Sequence, residues 1–212
     1  HNSHNAVFGC QEYAPAQGVR VRIGFARSGD ATPDARARHT SDAAPHRTAG
    51  GRHAEAIMLS PRLHNFLDER HGHYTALTHD RTITADQTAN AAHIGRQHFA
   101  KTVMLKVDDK LAMMVMPASY RIDLVRLSRA LGGSLVELAQ ENEFRDAFPD
   151  CELGAMPPFG HLYGMPVYVD SRLTGHAEIA FNAGSHTEVV RMPYHEFERL
   201  AQPELLWLAH VM

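Results

Sequence analysis

Three short stretches of this sequence carry groups that chemistry can use. The first is Lys101, one of only three lysines in the chain, which follows Phe99-Ala100 and opens the otherwise apolar run Lys-Thr-Val-Met-Leu-Lys-Val. A cation at the mouth of a strand can bind a phosphate or polarise an ester carbonyl. A solvated strand end has the same local pattern. The second stretch is Gly154-Ala155-Met156-Pro157-Pro158-Phe159-Gly160, two glycines bracketing two prolines. Glycine lets backbone approach a ligand closely and proline stiffens the loop, so its free N–H groups can face a developing oxyanion or a water. A tight structural turn would use the same residues. The third is Phe181-Asn182-Ala183-Gly184-Ser185-His186, where Asn182 and Ser185 supply neutral donors and acceptors beside a glycine. A β-turn between strands is the plainer account of that stretch.

Other reactive residue types form no recognisable set. The chain has 16 histidines, but no HExxH and no paired CxxC, so no metal site is expected. Cys151 has no local Cys–His arrangement and reads as a small buried hydrophobe. No GxSxG elbow and no Walker loop occurs. Cys10 and Cys151 lie in stretches of different composition, so a disulfide framework is not expected and a reducing cytoplasm fits.

These stretches need elements to hold them. Ser60-Pro61 reads as an N-cap followed by proline at the first helical position, with Leu63, Phe66 and Leu67 on one face and Gly72 as the stop. Tyr74 to Leu77 reads as a strand. Thr84 and Gln87 form a capping box for a helix running to Gly95. The runs 101–107 and 110–116 are separated only by Asp108-Asp109, which predicts a hairpin. Further helices are expected at about Ile122 to Leu131, Leu138 to Asp146, and from Pro193 with Tyr194, Phe197, Leu200 and Ala201 inward. Further strands are expected at Pro166 to Val169, His176 to Phe181 and Glu188 to Met192. Strands and helices mix without a strict βαβ rhythm, which predicts an α+β fold.

Composition divides the 212 residues. Residues 1–57 contain neither Leu nor Lys, too little apolar surface to offset the entropy of ordering, and the chain starts at His1. They are expected to be a disordered or non-native extension, with the domain over 58–212. The net charge is −3 and acids outnumber bases after Met58, which argues against a grip on long duplex. No stretch approaches the roughly 18 apolar residues of a membrane span.

In order along the chain, Phe99 to Leu105, Gly154 to Gly160 and Phe181 to His186 resemble the lysine-bearing strand, the GxxxP loop and the late glycine turn of the YbaK/EbsC family. That family is also described as the prolyl-tRNA-synthetase-associated editing domain. The tail Arg199 to Leu205 is similar as well, so the likeness spans about Leu59 to Leu206. The resemblance implies a mixed, curved sheet flanked by helices. It also implies a cytoplasmic trans-editing hydrolase that removes a small amino acid (Ala, Cys, Ser or Thr) from mischarged tRNA, without cofactor or metal. By this resemblance Lys101, Gly154 and Ala155 would be catalytic. Met156, Pro157, Gly160, Asn182, Gly184, Ser185 and His186 would bind substrate. General-base help would come from a substrate hydroxyl or from backbone carbonyls. Alanine-selective subfamilies often carry His where Asn182 aligns. The partner is the aminoacyl-tRNA acceptor end, met by Lys101 and arginines such as Arg81, Arg96 and Arg121. An aminoacyl-tRNA synthetase or an elongation factor is a further candidate partner, and the oligomeric state stays open. A non-catalytic module binding the acceptor end or a nucleotide is the alternative.

Overall fold

The computed structural model describes residues 21–23 and 59–208. The rest of the first 58 residues, for which a disordered or non-native extension is expected, lies outside the described residues, as does Cys10.

Two sheets form the centre. One has the order β1-β2-β8-β7, with β1 Val21–Ile23, β2 Thr75–Thr78, β7 Glu178–Asn182 and β8 Glu188–Pro193, all pairs antiparallel. The other has the order β5-β3-β4-β6-β9, with β3 Ala100–Val107, β4 Lys110–Pro117, β5 Val136–Leu138, β6 Val167–Asp170 and β9 Glu204–Leu206. In it β5-β3-β4 is antiparallel, whereas β6 runs parallel to both β4 and β9, so the sheet is mixed. The helices are α1 Pro61–Glu69, α2 Ala85–Ala91, α3 Leu124–Ala130, α4 Glu141–Phe144 and α5 Tyr194–Ala201. The fold is α+β, as the mixed rhythm of the sequence predicts. Among the described residues no helix is long and apolar enough to cross a membrane.

Local chemistry explains most of the boundaries. The Ser60 hydroxyl accepts the Leu63 N–H and Pro61 starts α1. Thr84 and Gln87 close a reciprocal capping box on α2. The β3–β4 hairpin turns on Asp108 and Asp109, both at positive φ (47° and 63°), the backbone that a two-residue turn demands and Asp tolerates. Two expectations fail for physical reasons. Helix α2 stops at Ala91 rather than near Gly95, because His93 turns left-handed (φ 55°) and Ile94 N–H closes onto the Ala89 carbonyl. The helix expected over 138–146 shrinks to the single turn α4. Leu138 pairs with Leu105 on the open edge of β3, and Gln140 caps the turn through Glu143.

Phe159, Phe181 and Phe197, each fully buried, anchor the main core, with ring centroids 5.6 to 6.3 Å apart. A second cluster joins Phe99 and Ala180 to Ala89 and Ala92 around α2. Their small side chains let that helix sit close to the place where the two sheets meet.

Candidate functional site

One parallel bridge, Phe99 to Ala180, joins the two sheets, and Ala180 N–H donates to the His98 carbonyl at 3.0 Å. Two residues further along each strand stand Lys101 and Asn182. Side chains alternate along a strand, so both share the face of Phe99 and Ala180, towards α2. The half-buried Lys101 ammonium donates to the Tyr120 carbonyl at 2.5 Å. Burial pushes its pKa below the ordinary lysine value; Asp86 of α2 opposes that shift, and Arg121 and Arg96 reinforce it.

The loop after Cys151 and the turn after Asn182 are knitted together. Glu152 N–H donates to the Gly184 carbonyl (2.8 Å), and Gly184 N–H donates to the Ala155 carbonyl (3.0 Å). The Asn182 amide donates to the Gly154 carbonyl at 3.4 Å. His186 is pinned twice: its N–H donates to the Glu152 carboxylate (2.8 Å), and its Nε2 lies 2.9 Å from the Leu153 carbonyl. A carbonyl only accepts, so Nε2 carries a proton, and in the neutral imidazole Nδ1 is then an acceptor. Nδ1 of His186 and Oδ1 of Asn182 are buried and have no hydrogen-bond partner among the described residues. Both residues are only 8% exposed.

Two glycines are required here by backbone shape. Gly154 has φ +87° and Gly184 φ +109°. A Cβ on Gly184 would stand 2.6 Å from Ser60 Cβ, so the turn rests directly on the start of α1, where Ser60 N–H donates to the Ala183 carbonyl at 2.8 Å.

The residues singled out from sequence therefore divide. Gly154, Asn182, Gly184 and His186 are brought together by direct contacts of the loop and the turn, and Lys101 stands two residues past the bridge on the neighbouring strand. Ala155 joins them through its carbonyl, but its N–H is committed to the Glu152 carbonyl (3.0 Å) and does not face a substrate. Among the described residues the Gly154 N–H meets only the Met156 sulfur at 3.1 Å, a weak acceptor. Met156 and Pro157 are buried beneath the loop. Ser185 faces its own turn, with its hydroxyl on the Glu188 carboxylate and 3.1 Å from the Thr187 hydroxyl. Gly160 is not brought to the site: a Cβ there would meet the Met165 carbonyl at 2.6 Å and Val167 at 2.8 Å, so it serves the packing of the loop on β6.

Sequence reading missed Glu152. Its carboxylate bridges the His186 N–H and the Arg81 guanidinium (2.9 Å). Although burial opposes it, those two partners hold the carboxyl below its usual range. Arg81 sits in the segment before α2, which also crosses the turn through His79 N–H to the Thr187 carbonyl (2.9 Å) and Thr82 N–H to the His186 carbonyl (3.1 Å). All of these contacts are long-range, and no local pattern announces them. Cys151 is half-buried, its sulfur 3.2 Å from the Tyr163 hydroxyl, and burial pushes its thiol up, away from a reactive thiolate. Among the described residues no group of three or more His, Cys, Asp or Glu stands ready to hold a metal ion.

Residues 79–200, which contain Lys101, the loop and the turn, match the family described as the aminoacyl-tRNA editing domain. This chain belongs to that family. As an editing domain it is an aminoacyl-tRNA deacylase, a hydrolase whose substrate is mischarged aminoacyl-tRNA. It is 27% identical over 158 residues to the Multifunctional Ser/Thr-tRNA deacylase ProXp-y of Escherichia coli (strain K12), covering 72% of this chain and 94% of that protein. It is 32% identical over 96 residues to a proline–tRNA ligase of Bacillus cereus (strain AH187), a match covering 43% of this chain and 17% of the ligase. The editing domain also shares its fold with a solved structure described as a candidate trans-editing enzyme for prolyl tRNA synthetase. There the TM-score is 0.61 at 24% identity, over 71% of this chain and 99% of that one.

Proposed function

We propose that this editing domain removes serine or threonine from mischarged tRNA, and that the ester is cleaved at the seam between the two sheets. The observation that carries the reading is the Phe99–Ala180 bridge, which sets Lys101 level with Asn182 while Asn182 holds Gly154. In this reading Lys101 is the fixed cation for the terminal phosphate or the ester carbonyl. A water oxygen bonds to the carbonyl carbon, and the resulting oxyanion takes the Gly154 N–H from the Met156 sulfur, because an oxyanion is much the stronger acceptor. The bond from that carbon to the ribose oxygen then breaks. The electron pair stays on the ribose oxygen, which takes up the proton that the attacking water gives up, and the free amino acid leaves. Aminoacyl esters are labile enough that positioning and charge stabilisation suffice.

Two features support the amino-acid preference. A related protein is named as a Ser/Thr-tRNA deacylase. The buried, unpartnered Asn182 Oδ1 and His186 Nδ1 are acceptors that a substrate hydroxyl can satisfy and an alanine methyl cannot. Work on aminoacyl-tRNA belongs to the cytoplasm, and the partial likeness to proline–tRNA ligases makes an aminoacyl-tRNA synthetase the candidate protein partner.

The test is a deacylation panel of tRNAs charged with Ser, Thr, Ala and Cys, run with wild type and Lys101→Ala. We expect Ser and Thr to be released fastest and the variant to lose about a hundredfold in kcat/KM, the usual scale for one electrostatic contact to the reacting centre. Undiminished turnover by Lys101→Ala would sink the mechanism. Tight tRNA binding by wild type without any deacylation would return the site to the non-catalytic alternative.

A further inference from the structure

Tyr120 touches two regions at once. Its carbonyl accepts the Lys101 ammonium, while the residue also lines a neighbouring groove of about 570 Å³ with Arg121, Val125, Arg126, Arg172 and Leu208. That volume falls within the usual range of small-ligand clefts, about 300–1,000 Å³.

Three arginines line this groove in a chain whose net charge is −3. Arg126 is offset by Asp123 (3.2 Å) and Arg172 by the fully buried Asp170. Arg121 has no carboxylate partner among the described residues, so the groove keeps a surplus of positive charge next to Lys101. The Arg172 guanidinium, held by Asp170 through Nε and Nη2, lies over the Tyr120 ring, 4.0 Å from its centroid, which puts two planar surfaces in one place. Val125, 62% exposed, adds open apolar surface. A small inorganic anion would not need the planar and apolar surface, and an apolar peptide would not need the arginines. Cationic, planar and apolar surface together suit the phosphates and unstacked bases of single-stranded nucleic acid.

We propose that this groove holds the unpaired nucleotides that precede the terminal adenosine of the tRNA, so that the acceptor end runs along the groove and past Tyr120 to Lys101. The inference rests on the reading that the ester is cleaved beside Lys101. It adds a second subsite, read by stacking and charge rather than by base identity.

Calorimetric titration with two probes, the RNA trinucleotide CCA and adenosine monophosphate, tests it without requiring hydrolysis. Val125→Glu puts a carboxylate into the groove at an exposed position in the first turn of α3, where an acid does not disfavour the helix. The wild type should bind the trinucleotide about tenfold more tightly than the mononucleotide. Val125→Glu should erase that advantage and leave mononucleotide binding unchanged, and Val125→Lys should enlarge it. Leu138→Glu, at another exposed position (50%) on the β5 edge, should change nothing. Equal trinucleotide affinity in wild type and Val125→Glu would overturn the subsite, as would an effect of Leu138→Glu as large as that of Val125→Glu. Kinetics separates this proposal from the one beneath it. Wild type hydrolysing aminoacyl-adenosine and aminoacyl-CCA with the same kcat/KM refutes the groove and leaves the deacylase reading standing. Trinucleotide binding that obeys the charge series, in a protein that hydrolyses neither ester, refutes the cleavage reading and leaves the groove.

Discussion

Replacing Gly184 by alanine tests whether the late turn is held in place by α1. Two costs add at that position. The backbone sits at φ +109°, where a side chain is strained by about 1–2 kcal/mol. The new methyl would also stand 2.6 Å from Ser60 Cβ, 3.2 Å from Ser60 N and 3.3 Å from Ser60 Cα. All three are fixed in the helix cap rather than at the end of a flexible chain, and overpacking of this kind costs about 1–3 kcal/mol. The sum is about 2–5 kcal/mol, a large share of the 5–15 kcal/mol that holds a typical domain folded. At roughly 2–4 °C per kcal/mol for a chain of this size, the melting temperature should fall by about 10 °C. Gly132→Ala is the matched control, because Gly132 also has positive φ (+71°) but nothing lies within 4 Å of the added methyl. It should lose only the backbone share, about 3 °C. Both variants would be followed by thermal melting and by single-turnover deacylation at 20 °C, where each remains folded. Gly184→Ala should also lose activity at that temperature, since relief of the clash moves Gly184 N–H away from the Ala155 carbonyl. A melting temperature within 3 °C of wild type, or equal losses in the two variants, would refute the claim that the turn rests on Ser60.

Two further outcomes follow from the site's hydrogen bonds. Asn182→Ala removes one of the two buried acceptors and should narrow the preference for seryl- over alanyl-tRNA by about tenfold, on the scale of 1–3 kcal/mol per unsatisfied group, measured as a ratio of kcat/KM values; an unchanged ratio refutes the proposed selection. Glu152 has a folded-state pKa depressed below its ordinary 4.5. Its ionised form therefore adds stability that is present above about pH 4.5 and lost as pH falls through the lower folded-state value. The melting-temperature gap between wild type and Glu152→Gln should be full at pH 7 and shrink below pH 4.5, and a gap independent of pH would show that the Arg81 and His186 contacts do not favour the carboxylate.

Much of the fold is legible because its signals are local. Ser60-Pro61, the Thr84/Gln87 box and the Asp108-Asp109 turn each determine backbone geometry within four residues, and the structure contains all three. The gap between α3 and α4 is different. Leu138 carries no mark that says whether it will lengthen a helix or pair with Leu105, since that depends on an open strand edge over thirty residues away. β9 escaped notice for the same reason, being only three residues added in parallel to β6. Lys101, Gly154 and Asn182 stood out in the sequence because a lysine opening an otherwise apolar strand and glycine-bearing loops are unusual in themselves. Glu152 is an ordinary surface residue type, and Arg81, expected to meet the acceptor end, instead pairs with Glu152 across 71 positions. Gly160 shows the opposite error: it shares a motif with Gly154, yet its missing side chain makes room for the Met165 carbonyl rather than for a substrate.

Among the described residues the two ladders share a single rung, Phe99 to Ala180. The spacing between ammonium and amide is thus a matter of phase between two separately woven fabrics, and neither fabric encodes it alone. A one-residue deletion just ahead of Ala100 would leave the β3–β4 pairing of Lys101 with Met116 intact and still put the cation out of step with Asn182. Conversely, on the reading proposed above, the side chains beyond the rung can change to admit a new acyl group without loosening either weave. A fold of this kind can alter what it cleaves while keeping how it holds together.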